Sequence, residues 1–223
     1  MNILITGARS GIGYQTALEL INKGHFVYLT VHTNEQLEKL KKDNNLINKN
    51  VNIIKLDVTC EEDRKKVKNL NIDILINNAA IGIGGSIAEA SIEKIRENFE
   101  VNFFGTIQLT QVFLRKMIES NQGRIIMITS ALGEIPFPWL GIYSSTKAAL
   151  KNISMALDKE LKEIKSNVKI VIVEPGFYFT GFNDVMLDNK YDNKNSIFKS
   201  FRDKIIKTER LKVKLLEKNV LKV

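Results

Sequence analysis

Tyr143 and Lys147 lie four residues apart in the stretch Gly141-Ile142-Tyr143-Ser144-Ser145-Thr146-Lys147-Ala148-Ala149-Leu150. On a helix this spacing brings a phenol and an ammonium onto one face. A free tyrosine titrates near ~10, so it shuttles protons at neutral pH only where a nearby positive charge favours the phenolate, and a lysine one turn away supplies one. The pair reads as a catalytic acid with a partner that lowers its pKa. The same spacing also arises on ordinary amphipathic helices, with the tyrosine half-buried and the lysine reaching water. Chemistry therefore requires further groups around the pair.

A second candidate site stands at the start of the chain. The apolar run from Asn2 passes into Thr6-Gly7-Ala8-Arg9-Ser10-Gly11-Ile12-Gly13, and a helical pattern follows at once. Strand, glycine turn and helix together make a phosphate site, because glycines let the backbone turn tightly and let a pyrophosphate approach the amides at the positive end of the helix dipole. Gly7, Arg9, Ser10, Gly11, Ile12 and Gly13 are its candidate residues.

The elements that must hold these groups alternate along the chain. Nearly continuous apolar runs predict strands at Asn2 to Thr6, His25 to Val31, Val51 to Leu56, Ile72 to Ile76, Gly123 to Ser130 and Val168 to Glu174. Helical patterns fit between them at Ile12 to Lys23, Asn34 to Lys42, Cys60 to Asn69, Ser91 to Ser120 and Ile142 to Lys165. Thr59 followed by Glu62 predicts a capping box, while Asn34 and Ser91 are further candidate caps. This alternation predicts an α/β fold of one domain, a doubly wound parallel sheet in a Rossmann-like three-layer α/β/α arrangement. Only Pro136, Pro138 and Pro175 interrupt it, each just past a predicted strand.

The 223 residues are 44% apolar and 26% charged, which suits one soluble core and excludes a disordered chain. Cys60 is the single cysteine, which excludes an intrachain disulfide and favours a reducing, cytoplasmic location. No apolar run is long enough to span a membrane, and the first predicted strand leaves no room for a signal peptide. Of the net charge of +8, +7 falls on residues 190–223, where eleven Lys or Arg meet four acids. That tail reads as a solvated helix face; a polyanion or anionic-membrane site is the alternative that charge alone supports. No nucleic-acid partner and no metal site are read from the rest of the chain.

Taken in order, these motifs resemble the short-chain dehydrogenase/reductase family, over about residues 1–182. The glycine turn has the spacing Gly-x-x-x-Gly-x-Gly, with a preceding threonine. Asp57-Val58 ends the third predicted strand, Asn77-Asn78-Ala79-Ala80 ends the fourth, and Asn102 sits in Val101-Asn102-Phe103-Phe104-Gly105. Ser130 precedes Tyr143 by thirteen residues, and Pro175-Gly176 is followed by Thr180. The resemblance implies a nicotinamide cofactor and a small-molecule carbonyl/alcohol substrate. Asp57 and Val58 are the implied adenine contacts, and Asn78 and Ala79 border the cofactor. Pro175, Gly176 and Thr180 belong to the segment that closes over the nicotinamide. Ketone reduction needs hydride at carbon and a proton at oxygen. Tyr143 is the candidate proton donor, with Lys147 lowering its pKa and bonding the nicotinamide ribose. Ser130 would hold the substrate oxygen, and Asn102 would bind a water joining Lys147 to solvent.

A site for NAD(H) places an acid at the end of the second strand, but Leu29-Thr30-Val31-His32-Thr33-Asn34 has no carboxylate before Glu35. Arg9 and His32 could instead face a 2'-phosphate, so NADP(H) is favoured over NAD(H). Around the presumed reaction centre, Ala131 to Leu140 and Phe177 to Phe182 are rich in aromatic residues, which suits a hydrophobic substrate, a packed loop or a subunit interface. The family usually ends with a helix and a seventh strand that contacts a neighbouring subunit. Here residues 197–223 read as charged helix with the seventh strand missing, from a shortened relative or an incomplete coding sequence. Homo-oligomer formation is implied by the family and put in question by that segment. A cofactor-binding regulatory or scaffold protein without turnover is the alternative to an enzyme.

Overall fold

Period-two alternation along six apolar runs builds two cores at once. Ile3 and Ile5 of the first strand fall on one face of the sheet and Leu4 on the other, and all three are fully buried. The computed structural model describes residues 1–176 together with Phe182, Ile197 and Phe198. The strands are β1 (Asn2–Ile5), β2 (Phe26–Val31), β3 (Val51–Lys55), β4 (Ile74–Asn77), β5 (Arg124–Ile128) and β6 (Lys169–Val173). The helices are α1 (Gly11–Asn22), α2 (Asn34–Lys41), α3 (Glu61–Val67), α4 (Ile92–Phe99), α5 (Thr106–Glu119) and α6 (Gly141–Glu163). The strands pair in parallel in the order β3-β2-β1-β4-β5-β6, and the order reverses between β1 and β4. At such a reversal the connections leave to opposite faces and a crevice opens at the carboxyl ends of the strands.

One face packs Leu4, Leu75, Ile125 and Met127 against Leu109, Phe113 and Met117 of α5 and Leu150 and Leu161 of α6. The other packs Ile3, Ile5, Val27, Leu29, Ile74 and Ile76 against Ala17 and Ile21 of α1 and Leu40 of α2. This three-layer fold is the doubly wound sheet expected from the sequence. Every predicted strand is present, with ends shifted by at most two residues.

The long helix predicted from Ser91 to Ser120 is corrected. It is α4 and α5 joined by a wider π turn at Glu100–Gly105, with Asn102 inside the turn. Such insertions re-aim a side chain without ending the helix, and hydrophobic periodicity does not reveal them. Two caps also differ. Thr59 does not cap α3, because its hydroxyl donates to Asp57 Oδ1 at 2.7 Å; Cys60 is the cap residue, without a side-chain bond. At α2 the cap is Thr33, whose hydroxyl accepts from the Gln36 amide, and Asn34 is the first helical residue. Ser91 caps α4 as expected, accepting from the Lys94 amide. The missing seventh strand concerns residues 197–223, of which only Ile197 and Phe198 are described, so it lies outside the described residues.

Candidate active site

The crevice between β1 and β4 opens into a cleft of about 1110 Å³. Its first wall is the glycine turn after β1. Gly7 has φ +63°, and a Cβ there would stand 2.7 Å from Ala79 Cα; at Gly13 it would stand 2.5 Å from Asn78 Nδ2. Both glycines are thus required by the close approach of the β4 end. α1 starts at Gly11, with Ser10 making no side-chain cap bond and no acid in the first turn. The positive end of a twelve-residue helix therefore faces the cleft without a carboxylate to neutralise it. That arrangement fits a pyrophosphate.

Thr6, which sequence reasoning treated only as the residue before the turn, ties this wall together. Its buried Oγ1 accepts from the amides of Asn78 and Ala79, both at 2.9 Å. Asn78 Nδ2 returns bonds to the carbonyls of Thr6 at 2.9 Å and Gly7 at 3.0 Å. Asn78 lines the cleft, yet its amide group is spent on holding the turn. The available signal was a hydroxyl ending a buried strand. Thr6→Val takes the acceptor from two part-buried amides and is expected to cost about 1–3 kcal/mol, read as a lower urea midpoint with an unchanged slope.

The opposite wall comes from β5 and α6. Ser130 follows β5 in extended backbone, is buried, and its Oγ accepts from the Leu132 amide at 3.2 Å. Tyr143 and Lys147 are buried on the face of α6 toward the cleft, 6% and 2% exposed. Lys147 Nζ donates to the Ile128 carbonyl at 2.8 Å and lies 5.8 Å from the centre of the Tyr143 ring. Burial pushes the lysine down to about 8. Burial likewise pushes the Tyr143 phenol up to about 12, and the Ser130 hydroxyl acts in the opposite direction. The phenol thus lies above its ordinary value through burial, and the Lys147 ammonium is paired with a backbone carbonyl.

Asn102 is fully buried and does not line the cleft. Its Oδ1 accepts from the Ile81 amide at 2.8 Å, while Nδ2 faces Ile81 O at 2.9 Å, Asn98 Oδ1 at 3.0 Å and Thr146 Oγ1 at 3.1 Å. Two N–H groups facing three acceptors leave no donor over, so the amide fastens the loop after β4 to α6.

At the far end, Arg9 is exposed and, with Ser10, Gly11, Ile12, His32, Asp57 and Val58, borders the cleft. His32 Nε2 lies 3.2 Å from Asp57 Oδ2. Burial raises the Asp57 pKa, but bonds from Thr59 and the charge and bond of His32 outweigh it and hold the carboxyl below its ordinary value. The carboxylate that the end of β2 lacks in sequence is thus brought alongside from the end of β3. Pro175 and Gly176 line the cleft beside Ser130, with the Ala131 amide donating to Pro175 O at 3.0 Å. Thr180 lies outside the described residues.

Leu132, Leu140 and Tyr143 form a small apolar cluster with Phe137 and Phe182, and the Tyr143 and Phe182 rings are tilted at 5.6 Å. Trp139, held at φ +66°, meets Phe198 edge-on at 4.8 Å. Among the described residues no His, Cys, Asp or Glu cluster could hold a metal, and no helix is long and apolar enough to cross a membrane.

The family model for short chain dehydrogenases matches residues 1–190. A 3-ketodihydrosphingosine reductase of Bacteroides thetaiotaomicron is 36% identical over 182 residues, 82% of this chain and 65% of that protein. The chain thus spans just under two thirds of that relative. An NADP-dependent 3-hydroxy acid dehydrogenase of Escherichia coli is 33% identical over 79% of this chain and 72% of its own. Among solved structures, the closed form of a serine dehydrogenase complexed with NADP+ superposes with a TM-score of 0.77 at 28% identity, covering 95% of this chain and 88% of that one. A family match over most of the length and a close superposition lead to one conclusion: the chain belongs to the short-chain dehydrogenase/reductase family.

Proposed function

We propose that this chain is an oxidoreductase that interconverts a carbonyl and an alcohol, with NADP(H) preferred over NAD(H), on a hydrophobic substrate. One observation carries the reading: Ser130, Tyr143, Lys147 and the glycine turn line a single cleft at the carboxyl ends of the strands. When bound there, a nicotinamide dinucleotide supplies the hydride.

The chain's own groups do the rest. The α1 amides and the glycine turn bind the pyrophosphate, with Asp57 and Val58 at the adenine end. Tyr143, protonated at neutral pH, holds the proton for the carbonyl oxygen, and the Ser130 hydroxyl is a second donor to that oxygen. Lys147 bonds the ribose from its seat on Ile128 O. Thr6 and Asn102 keep the two walls in register. Leu132, Leu140, Phe137 and Phe182 exclude water beside the phenol and favour an apolar substituent on the substrate. Pro175 and Gly176 bound the nicotinamide side.

NADPH consumption against a panel of hydrophobic ketones and aldehydes tests the activity. Turnover is expected. Binding of the dinucleotide without turnover across the panel points to the regulatory or scaffold alternative.

The preference for NADP(H) rests on Arg9, because His32 is already paired with Asp57. Arg9→Ala is expected to weaken NADPH binding about tenfold or more while leaving NADH within about twofold, since a charge-assisted phosphate contact is lost. Fluorescence titration of both nucleotides reads this. Tighter binding of NADH than NADPH by the wild type overturns the preference.

A further inference from the structure

On α6 one turn beyond Lys147, and two turns beyond Tyr143, stands a cation that no cleft motif includes. Lys151 Nζ pairs with Glu134 Oε1 and, at 3.1 Å, with Glu174 Oε2. The three side chains are 23%, 53% and 33% exposed, so the cluster sits at the rear of the cleft wall rather than in the cleft. Each acid belongs to a different loop of the site. Glu134 follows the Ala131–Gly133 turn that leaves Ser130, and Glu174 directly precedes Pro175-Gly176.

The two loops run side by side. Thr129 N donates to Val173 O at 2.9 Å, and Ala131 N donates to Pro175 O at 3.0 Å. The Ser130 turn is pressed onto α6 at the same level, where a Cβ on Gly133 would come within 3.1 Å of the Ala148 amide. Two carboxylates converging on this corner repel each other unless a cation lies between them. Lys151 is that cation. Its position on the helix that carries Tyr143 and Lys147 links the placement of both loops to that of the catalytic pair.

We propose that Lys151 is a positioning residue whose ion pairs with Glu134 and Glu174 set Pro175-Gly176 against Ser130, and so fix the nicotinamide side of the cleft. The inference rests on the reading of the cleft as a dinucleotide and carbonyl site. Lys151 touches neither cofactor nor substrate, so its loss acts on binding more than on the chemical step. Partly exposed ion pairs are individually weak, so loss of both in Lys151→Met is expected to raise the NADPH Kd and the carbonyl KM about 3- to 10-fold. kcat is expected to stay within about twofold. Lys151→Glu gathers three carboxylates and is expected to exceed Lys151→Met in effect. High salt narrows the difference between wild type and variants, because such pairs are screened.

Hydrogen exchange at the Ala131 amide reads the clamp in the full chain without any ligand. Exchange is expected to be faster in Lys151→Met, faster again in Lys151→Glu, and slowed toward the wild-type rate in the double variant Lys151→Glu/Glu134→Lys, which restores opposite charges. The double variant is likewise expected to recover NADPH affinity. Unchanged exchange in both single variants, or no recovery in the double one, overturns the proposal. So does altered exchange with Kd and KM unmoved, which leaves Lys151 a role in stability alone. A wild-type chain that binds neither NADPH nor NADH overturns the proposed function instead, and the exchange experiment still decides whether the clamp exists.

Discussion

Tyr143→Phe is expected to lower kcat for carbonyl reduction by about 10²- to 10⁴-fold, the usual contribution of a positioned proton donor, with NADPH affinity largely retained. The substitution removes one oxygen and keeps the ring, so the packing against Leu132, Leu140 and Phe182 survives. The pH dependence separates this loss from a structural one. Because burial pushes the phenol up to about 12, the group is protonated throughout the neutral range. Reduction, which needs the proton in place, is expected to show no Tyr143-dependent change between pH 6 and pH 8. Alcohol oxidation needs the phenolate, so its logarithmic rate is expected to climb with pH toward that value. Tyr143→Phe loses the climb along with the rate. Stopped-flow or steady-state rates in both directions measure this, and full activity in the variant would falsify the assignment of Tyr143 as the acid.

Lys147→Met carries the second large effect, and it has opposite signs for activity and stability. Removing the donor proposed to bond the nicotinamide ribose is expected to lower kcat by about 10²- to 10³-fold. Stability moves the other way at neutral pH. The ammonium is buried and its pKa falls from 10.5 to about 8, so keeping it charged below that pH costs the folded state on the order of 3 kcal/mol. Methionine removes that cost but leaves the Ile128 carbonyl without its partner, a loss of about 1–3 kcal/mol. The net gain at pH 7 is therefore expected to reach at most about 2 kcal/mol.

The sign of the linkage follows from the depressed pKa. Between about 8 and 10.5 the unfolded chain still holds the proton that the folded lysine has released, so wild-type stability gains from rising pH across that window. The raised phenol acts in the other direction, but only above its ordinary value of 10.0. Urea midpoints of wild type and Lys147→Met between pH 7 and pH 9.5 test this directly. The wild type is expected to gain relative to the variant as pH rises, and parallel pH curves sink the claim that the lysine is buried.

Most of this site lay open in the order of residues because its chemistry is held at strand ends. A strand buried on both faces must be continuously apolar, so Ile3-Leu4-Ile5, Ile74-Leu75-Ile76 and Ile125-Ile126-Met127 announce themselves, and the polar residue that follows each run marks where the sheet meets solvent. Thr6, Asn77 and Ser130 are found in this way or nearly so. A helix spacing of four then suffices to aim Tyr143 and Lys147 together. Local residue types also determine the glycine turn, since only glycine fits φ +63° with Ala79 at 2.7 Å.

What remained hidden depends on which strand ends up beside which. The bond from His32 to Asp57 spans 25 residues, and it changes the meaning of a missing acid at β2. The π turn at Asn102 follows from bonds to Ile81 and Thr146, 21 and 44 residues away, which helical periodicity cannot carry. Proton affinities depend on tertiary burial most of all: the helix spacing suggested a phenol made more acidic by its lysine, and the packed fold makes both groups harder to charge. Sequence order thus marked the strand ends and the helix face that carry the cleft residues, because side-chain alternation and helix pitch are local properties. Their protonation, the partners of Asn102 and His32, and the clamp at Lys151 were settled by long-range packing, because desolvation and hydrogen-bond competition exist only once distant segments exclude water from one another.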